Sequence, residues 1–257
     1  MAFLGYDAAV GGRVVARRVE ERMAVGPGSS VGLEALRRCR LFARLDEGRL
    51  VPLAASLRSR RFRGGETIFH QDDPGDALHV VAAGAVKIVL PSAEDEEPAI
   101  IATLRPGDFF GELALFDDAP RSATAIALGA TETLVLGREA FLELIDEDQS
   151  LRRTLLASLA NEIRAITAHV GDLHFLDLPG RLTRRILREA EPVAAEPDGS
   201  VRLPWPYTQA ELAGMIGGSR QSVNRLLADL VARDLIRVER DVLVIPDPTG
   251  LERSIRR

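Results

Sequence analysis

The period of the hydrophobic positions changes repeatedly along the chain. Between residues 31 and 60, Leu33, Leu36, Leu41, Leu45, Leu50, Leu53 and Leu57 recur at roughly helical spacing and predict two or three short helices. From 61 the apolar runs shorten to LHVV, AVKIVL, AIIATL and ETLVL, separated by Gly-Gly, Asp-Pro-Gly, Ala-Gly and Pro-Gly-Asp. That rhythm predicts a β-barrel or sandwich with tight turns. SAEDEEP at 92–98 reads as a solvated hairpin tip. Residues 139–175 are helical again, and Leu151, Leu155, Leu159, Ile163, Ile166, Val170 and Leu173 step by three or four. Such a stripe serves either a helix packed on its own barrel or a dimer seam. Its length of about six turns outreaches a small barrel and points to the seam.

LDLPGRL at 176–182 interrupts that helix. Asp177 suits an N-cap and Pro179 a first helical turn, so the chain breaks and restarts at a hinge. A loop at 191–206 with a short strand at 200–203 leads into YTQAELAGMIGGSRQSVNRLLADLVARDLIRVERDVLVIPD at 207–247. Thr208-x-x-Glu211 is a capping-box pattern, Gly217-Gly218 provides a tight turn, and Ser219 can cap a second helix. At about 100° per residue, Arg220, Gln221, Asn224 and Arg225 fall opposite Val223, Leu226, Leu227 and Leu230. The pattern is that of a helix-turn-helix followed by a hairpin wing, LIRVERDVLVI. The bland reading is a solvated polar face. The sharper one is that Arg reads guanine and Gln or Asn reads adenine, with Arg237 and Arg240 free for phosphates. Thr208, Ser219, Arg220, Gln221, Ser222, Asn224 and Arg225 are therefore the candidate DNA contacts.

These periods predict an α+β chain. Residues 1–30 are an expected disordered extension, with Met23 as an alternative start. A β-roll over 31–148, a long dimerisation helix over 149–176, a winged helix-turn-helix over 177–248 and a tail over 249–257 follow.

Composition narrows the functions. Hydrophobic residues make up 46%, enough for real cores. Cys39 is the one cysteine, which rules out an internal disulfide, an iron–sulfur cluster or a four-thiolate zinc site and suggests a reducing cytoplasm. No stretch approaches the ~20 apolar residues of a membrane span. The net charge of −5 speaks against a wholly basic nucleic-acid binder but allows one basic face. Lysine occurs once, at Lys87, within 33 basic residues. No catalytic or metal-ligand arrangement stands out, and His70, His79, His169 and His174 read as ordinary histidines, so an enzyme is not expected.

FFGELALFDDAPRSAT at 109–124 sets an acid, an arginine and a hydroxyl in an apolar segment. FGELALFDDAPRSATA resembles the phosphate-binding cassette of cyclic-nucleotide-binding domains. VGDLHFLDLPGRL resembles the long helix and hinge, and SRQSVNRLLADL the recognition helix, of the cyclic-AMP receptor / fumarate-nitrate regulator (CRP/FNR) family of bacterial transcription factors. The resemblance covers roughly 33–248. It implies a short helix beginning at Gly111-Glu112 with Leu113, its N–H groups facing a cyclic phosphate. It further implies that Glu112 accepts from the ribose 2′-hydroxyl, and that Arg121 and Ser122 hold the phosphate. An internal Glu112–Arg121 ion pair in an empty pocket is the alternative.

The same resemblance places Ile166 and Thr167 where cyclic-AMP-responsive members carry a Thr-Ser pair that reads adenine. Thr167 keeps a hydroxyl and Ile166 loses one, a loss of ~1–3 kcal/mol at a buried contact. Gln221 stands where many members have glutamate, so the family's usual half-site does not transfer. The implied protein is a homodimer that senses a cyclic nucleotide such as cyclic AMP or cyclic GMP, with no required cofactor. It reads a two-fold DNA operator, pivots near Asp177 and acts through RNA polymerase, away from membranes. The rivals are a ligand-independent member of the family and a cyclic-nucleotide-binding regulator that docks on a protein.

Overall fold

The computed structural model describes residues 30–91, 98–117 and 119–255. The expected N-terminal extension, the alternative start at Met23 and most of the 92–98 hairpin tip lie outside the described residues.

Two short helices open the fold, α1 (Ser30–Arg38) and α2 (Glu47–Ser56), and the Asp46 carboxylate caps the second by accepting from the Arg49 N–H at 3.0 Å. Eight strands follow: β1 (Arg58–Phe62), β2 (Thr67–Phe69), β3 (Ala77–Ala83), β4 (Val86–Leu90), β5 (Ala99–Leu104), β6 (Phe109–Phe110), β7 (Thr124–Ala127) and β8 (Thr131–Gly137). They form two antiparallel sheets, ordered β1-β8-β3-β6 and β2-β7-β4-β5. Phe62, Ile68, Val81, Val86, Phe110, Ala125 and Ala127 form a core cluster of the roll. The alternate residues Leu78 and Val80 of β3 and Leu134 and Leu136 of β8 face the other way.

That second face is covered by α1, α2, α3 (Arg138–Glu147) and the start of α4 (Gln149–Phe175). Asp148 begins α4, its carboxylate accepting from the N–H groups of Ser150 and Leu151 at 2.8 and 2.9 Å. Here the seven-residue seam needs correction. Leu151 and Leu155 are 1% and 4% exposed because they fill the roll's own helical cap, and Leu159 packs against the same cluster. Past that point α4 outruns the roll. Ile163, Ile166, Val170 and Leu173 are left 65%, 50%, 58% and 42% exposed. The stripe thus packs on its own roll at one end and lies open to water at the other.

The helix restarts at α5 (Leu178–Ala190), capped by Asp177, whose carboxylate accepts from the Gly180 N–H at 2.9 Å. β9 (Val201–Pro204), α6 (Gln209–Ile216), α7 (Arg220–Ala232), β10 (Arg237–Glu239), β11 (Val242–Ile245) and α8 (Pro248–Arg253) complete the winged helix, with sheet order β10-β11-β9. The expected tail is a second correction: Leu251 of α8 is fully buried in the winged-helix core, so that domain runs to Arg253. The core also takes in Val89 of β4 and Ile100 of β5, so the winged helix rests on the roll.

Candidate functional site

Arg121 is the centre of the cassette. Its backbone is tied to the 72–73 turn in both directions, Arg121 N–H to Asp73 O and Asp72 N–H to Arg121 O, each at 2.9 Å. The side chain turns inward and is only 4% exposed. Its guanidinium donates to the Gly111 carbonyl at 2.5 Å and the Ala77 carbonyl at 2.8 Å, and lies 4.3 Å above the Phe69 ring. Gly111 has φ +83°, and a Cβ there would stand 2.5 Å from the guanidinium, so only glycine fits. Among the described residues Arg121 Nε is buried without a hydrogen-bond partner. The one carboxylate within 4 Å among the described residues is the exposed Asp76, at 3.9 Å. Burial therefore pulls the Arg121 pKa down, against the opposing pull of Asp76, Glu112 and Asp73.

No ion pair joins Arg121 to Glu112, so the internal pairing of that alternative does not form. Glu112 is also buried, at 5% exposure. Burial, with Glu162 of the long helix adding like-charge repulsion, raises its pKa to about 7, although its own N–H and Arg121 favour the anion. The expected short helix is a single 3-10 turn, Leu113–Leu115, whose few N–H groups carry little dipole. An anion at this site thus relies on the guanidinium. Leu113 and Ser122 lie at the exposed rim. Thr167 donates to the Ile163 carbonyl one turn back at 2.8 Å, on the exposed face of α4, and Ile166 beside it is half exposed.

Three participants escaped the sequence reading. The Asp-Pro-Gly-Asp segment at 73–76 was legible as a turn, but not as the tether and charged neighbour of Arg121. Glu162 carries no motif. His79 stacks on Phe110 at 5.1 Å and contacts the Thr133 hydroxyl at 3.2 Å. Burial and the nearby Arg121 and Arg60 charges lower its pKa to about 3, so it is a neutral part of the floor.

Glu112 gives the ligand-free protein a pH signature. Its folded pKa of about 7 lies above the ordinary 4.5. The folded chain therefore holds the proton more tightly, and this contribution to stability is complete below pH 4.5 and lost as pH rises through about 7. The melting-temperature advantage of the native chain over Glu112→Gln is expected to shrink from pH 5 to pH 8 in ligand-free thermal melts. A constant difference would contradict it.

The second candidate site is on the winged helix. The capping box at α6 forms, with Thr208 and Glu211 exchanging side chain-to-backbone bonds. Gly217 ends α6 at φ +65°, where the left-handed backbone allows the turn. Ser219 caps α7, its hydroxyl accepting from the Ser222 N–H at 3.2 Å. Val223 and Leu230 are buried, while Arg220, Gln221, Asn224 and Arg225 are exposed, as the angular spacing predicts. Thr208 and Ser219 are exposed and Ser222 half-buried around the same end. Gln209 donates to Asn224 at 3.2 Å. Arg220, Arg225 and Arg240 form no ion pair among the described residues, whereas Arg237, expected to be free, is engaged by Asp234 at 3.0 Å.

Two family models match the chain: the cyclic nucleotide-binding domain over residues 59–148 and the Crp-like helix-turn-helix domain over 180–254. A CRP-like cAMP-activated global transcriptional regulator of Mycobacterium tuberculosis is 32% identical over 223 residues, covering 87% of this chain and 99% of that protein. The chain belongs to the CRP/FNR family of transcription factors. The regulator Vfr of Pseudomonas aeruginosa, named as cAMP-activated, is 33% identical over 199 residues, 75% of this chain and 91% of its own. FixK2 of Bradyrhizobium japonicum shares the fold with a TM-score of 0.68 at 21% identity, covering 77% of this chain and 96% of its own. In CRP/FNR terms, the Arg121 cradle lies within the nucleotide-binding match and the α7 face within the helix-turn-helix match. The two segments are joined by α4.

Proposed function

We propose that this CRP/FNR protein is a homodimer whose roll binds a cyclic nucleotide, cyclic AMP or cyclic GMP, and thereby sets how its paired α7 helices meet a two-fold DNA operator. The observation that carries the effector assignment is Arg121: a buried guanidinium held by two neutral carbonyls, with, among the described residues, an unpaired N–H and no carboxylate in hydrogen-bonding range. A buried cation left so is costly, and a cyclic phosphate monoanion supplies the missing charge-assisted bond. Gly111 leaves room for the guanidinium, and Glu112 can accept a ribose hydroxyl once ionised. The relatives of Mycobacterium tuberculosis and Pseudomonas aeruginosa, both named as cAMP-activated, support the nucleotide class.

The exposed end of the α4 stripe supports the dimer. Four apolar residues at helical spacing, open to water on a helix projecting beyond its own core, are a self-complementary surface. A ligand that touches both the Arg121 cradle and α4 favours one arrangement of the helix pair, and through Asp177 one separation of the reading heads. That separation must approach one DNA turn, ~34–36 Å. Its effect is limited to its differential affinity for the two arrangements. Contact with RNA polymerase would follow DNA binding.

The test is a calorimetric titration with cyclic AMP and cyclic GMP, with and without operator DNA, alongside sedimentation. Saturable heat that rises in affinity when DNA is present supports the reading; no heat with either nucleotide rejects the effector assignment. Ile163→Asp with Val170→Asp is expected to turn a micromolar dimer into a folded monomer, because the charges are tolerated in water but not in an apolar seam. A double variant that sediments as a dimer would show that α4 is not the interface.

A further inference from the structure

The roll and the winged helix meet across a contact that none of the features above requires. The only lysine in the chain, Lys87 of β4, donates to Glu211 of α6 at 2.8 Å, with side chains only 18% and 15% exposed. Burial would raise the Glu211 pKa. The bonds it accepts from Lys87 and Thr208 outweigh that and hold it below the ordinary carboxylate range. A second polar group lies nearby. Arg105 reaches Glu189 of α5 at 2.7 Å and the Tyr207 hydroxyl at 3.2 Å, and Tyr207 donates to Glu189 at 2.9 Å. Between them Val89 and Ile100 enter the winged-helix core. Gly214, in the interior of α6, passes so close to the roll that a Cβ would stand 2.4 Å from the Pro98 carbonyl.

What this contact leaves uncovered decides its direction. The roll engages α6 and α5. The Arg220, Gln221, Asn224 and Arg225 side of α7 stays exposed, and its two arginines stay unpaired among the described residues. A contact that inhibited by covering the reading helix would hide or neutralise that face. Because α6 and α7 share one core, fixing α6 on β5 fixes the heading of α7.

We propose that Lys87–Glu211, with the close seat of Gly214 on Pro98, is an interdomain clamp that holds the reading helix in its DNA-competent heading before any effector binds. The clamp gives the protein an effector-independent share of its DNA affinity, by removing the orientational freedom that a loose hinge at Asp177 would otherwise lose on binding. This inference rests on the DNA-reading assignment of α7.

Two variants act on the clamp from different sides. Lys87→Met keeps the side-chain length and removes the charge. Gly214→Ala inserts a methyl at the Pro98 seat, and should by itself favour helix in α6. The first measurement is hydrogen exchange of the nucleotide-free, DNA-free protein over residues 98–104 and 209–216. The second is affinity for a duplex that the native protein has selected from a random-sequence pool without nucleotide. Both variants are expected to exchange at least tenfold faster in both segments and to bind the duplex about tenfold more weakly, equivalent to about 1.4 kcal/mol of lost clamping. Lys87→Arg should restore both. Arg63→Met, which removes one exposed charge elsewhere on the roll, should change neither.

Unchanged exchange in Lys87→Met and Gly214→Ala overturns the clamp. Faster exchange with undiminished or tighter DNA binding overturns its competent heading. A native protein that selects no duplex overturns the DNA-reading assignment instead, a failure visible before either variant is made.

Discussion

Arg121→Met is expected to lose cyclic-nucleotide binding by about 100-fold or more while the ligand-free protein stays folded. Hydrogen bonds to a charged group contribute ~1.5–3 kcal/mol each, and a cyclic phosphate would take at least one from this guanidinium together with its whole charge. The small stability effect follows from opposing terms. Methionine leaves the Gly111 and Ala77 carbonyls without their donor, at ~1–3 kcal/mol for each unsatisfied group. It also removes a desolvated cation that the exposed Asp76, at 3.9 Å, compensates only weakly. These offset, so the melting temperature should move far less than the affinity. Calorimetric titration with cyclic AMP and cyclic GMP, paired with thermal melts, separates the two. A variant that binds nucleotide like the native chain would remove Arg121 from the site.

Arg220→Ala should abolish sequence-specific DNA retention without unfolding the winged helix. Arg220 is exposed at the first turn of α7, pairs with no carboxylate among the described residues and contributes nothing to the core. Truncating it therefore has little structural cost. A bidentate arginine–guanine contact discriminates by ~1–3 kcal/mol, and a dimer makes the contact twice, so about 2–6 kcal/mol of specificity is at stake. Competition binding against random duplex measures it: the specific complex should weaken about 30-fold or more, and residual binding should be non-specific and steeply salt-dependent. Equal discrimination by variant and native protein would place base reading elsewhere, with Gln221, Asn224 and Arg225 the next side chains to replace.

The local devices were legible before any coordinates. Asp177, Thr208 with Glu211, Gly217 and Ser219 act within a few residues of themselves, and each caps or turns as its type and spacing require. The polar and buried sides of α7 also follow from the 3.6 period alone. The apolar strands β3, β4, β5 and β8 were visible as short runs between turns. β1 was not: RSRRF looks polar, begins within what read as helix, and is a strand because it pairs with β8, some seventy residues away. Local pattern carries no record of such a partner.

The same limit explains the site. FGELALFDDAPRSAT identified the acid, the arginine and the glycine. The direction of the Arg121 side chain, its unpaired Nε and the repulsion of Glu112 by Glu162 depend on elements brought together from 73–76, 109–122 and 162. Likewise one uninterrupted leucine stripe on α4 became core at Leu151 and open surface at Ile163, because only the length of the neighbouring roll decides where the cover ends.

By itself the sequence determined the order of modules, their caps and turns, and the faces of each helix, since these depend on backbone geometry over one or two turns. The tertiary structure alone decided which apolar positions were spent on the core, which charges were buried, and that Lys87 and Glu211 meet. Burial and charge pairing are set by what lies across space, and the chain encodes those neighbours only through its folding as a whole.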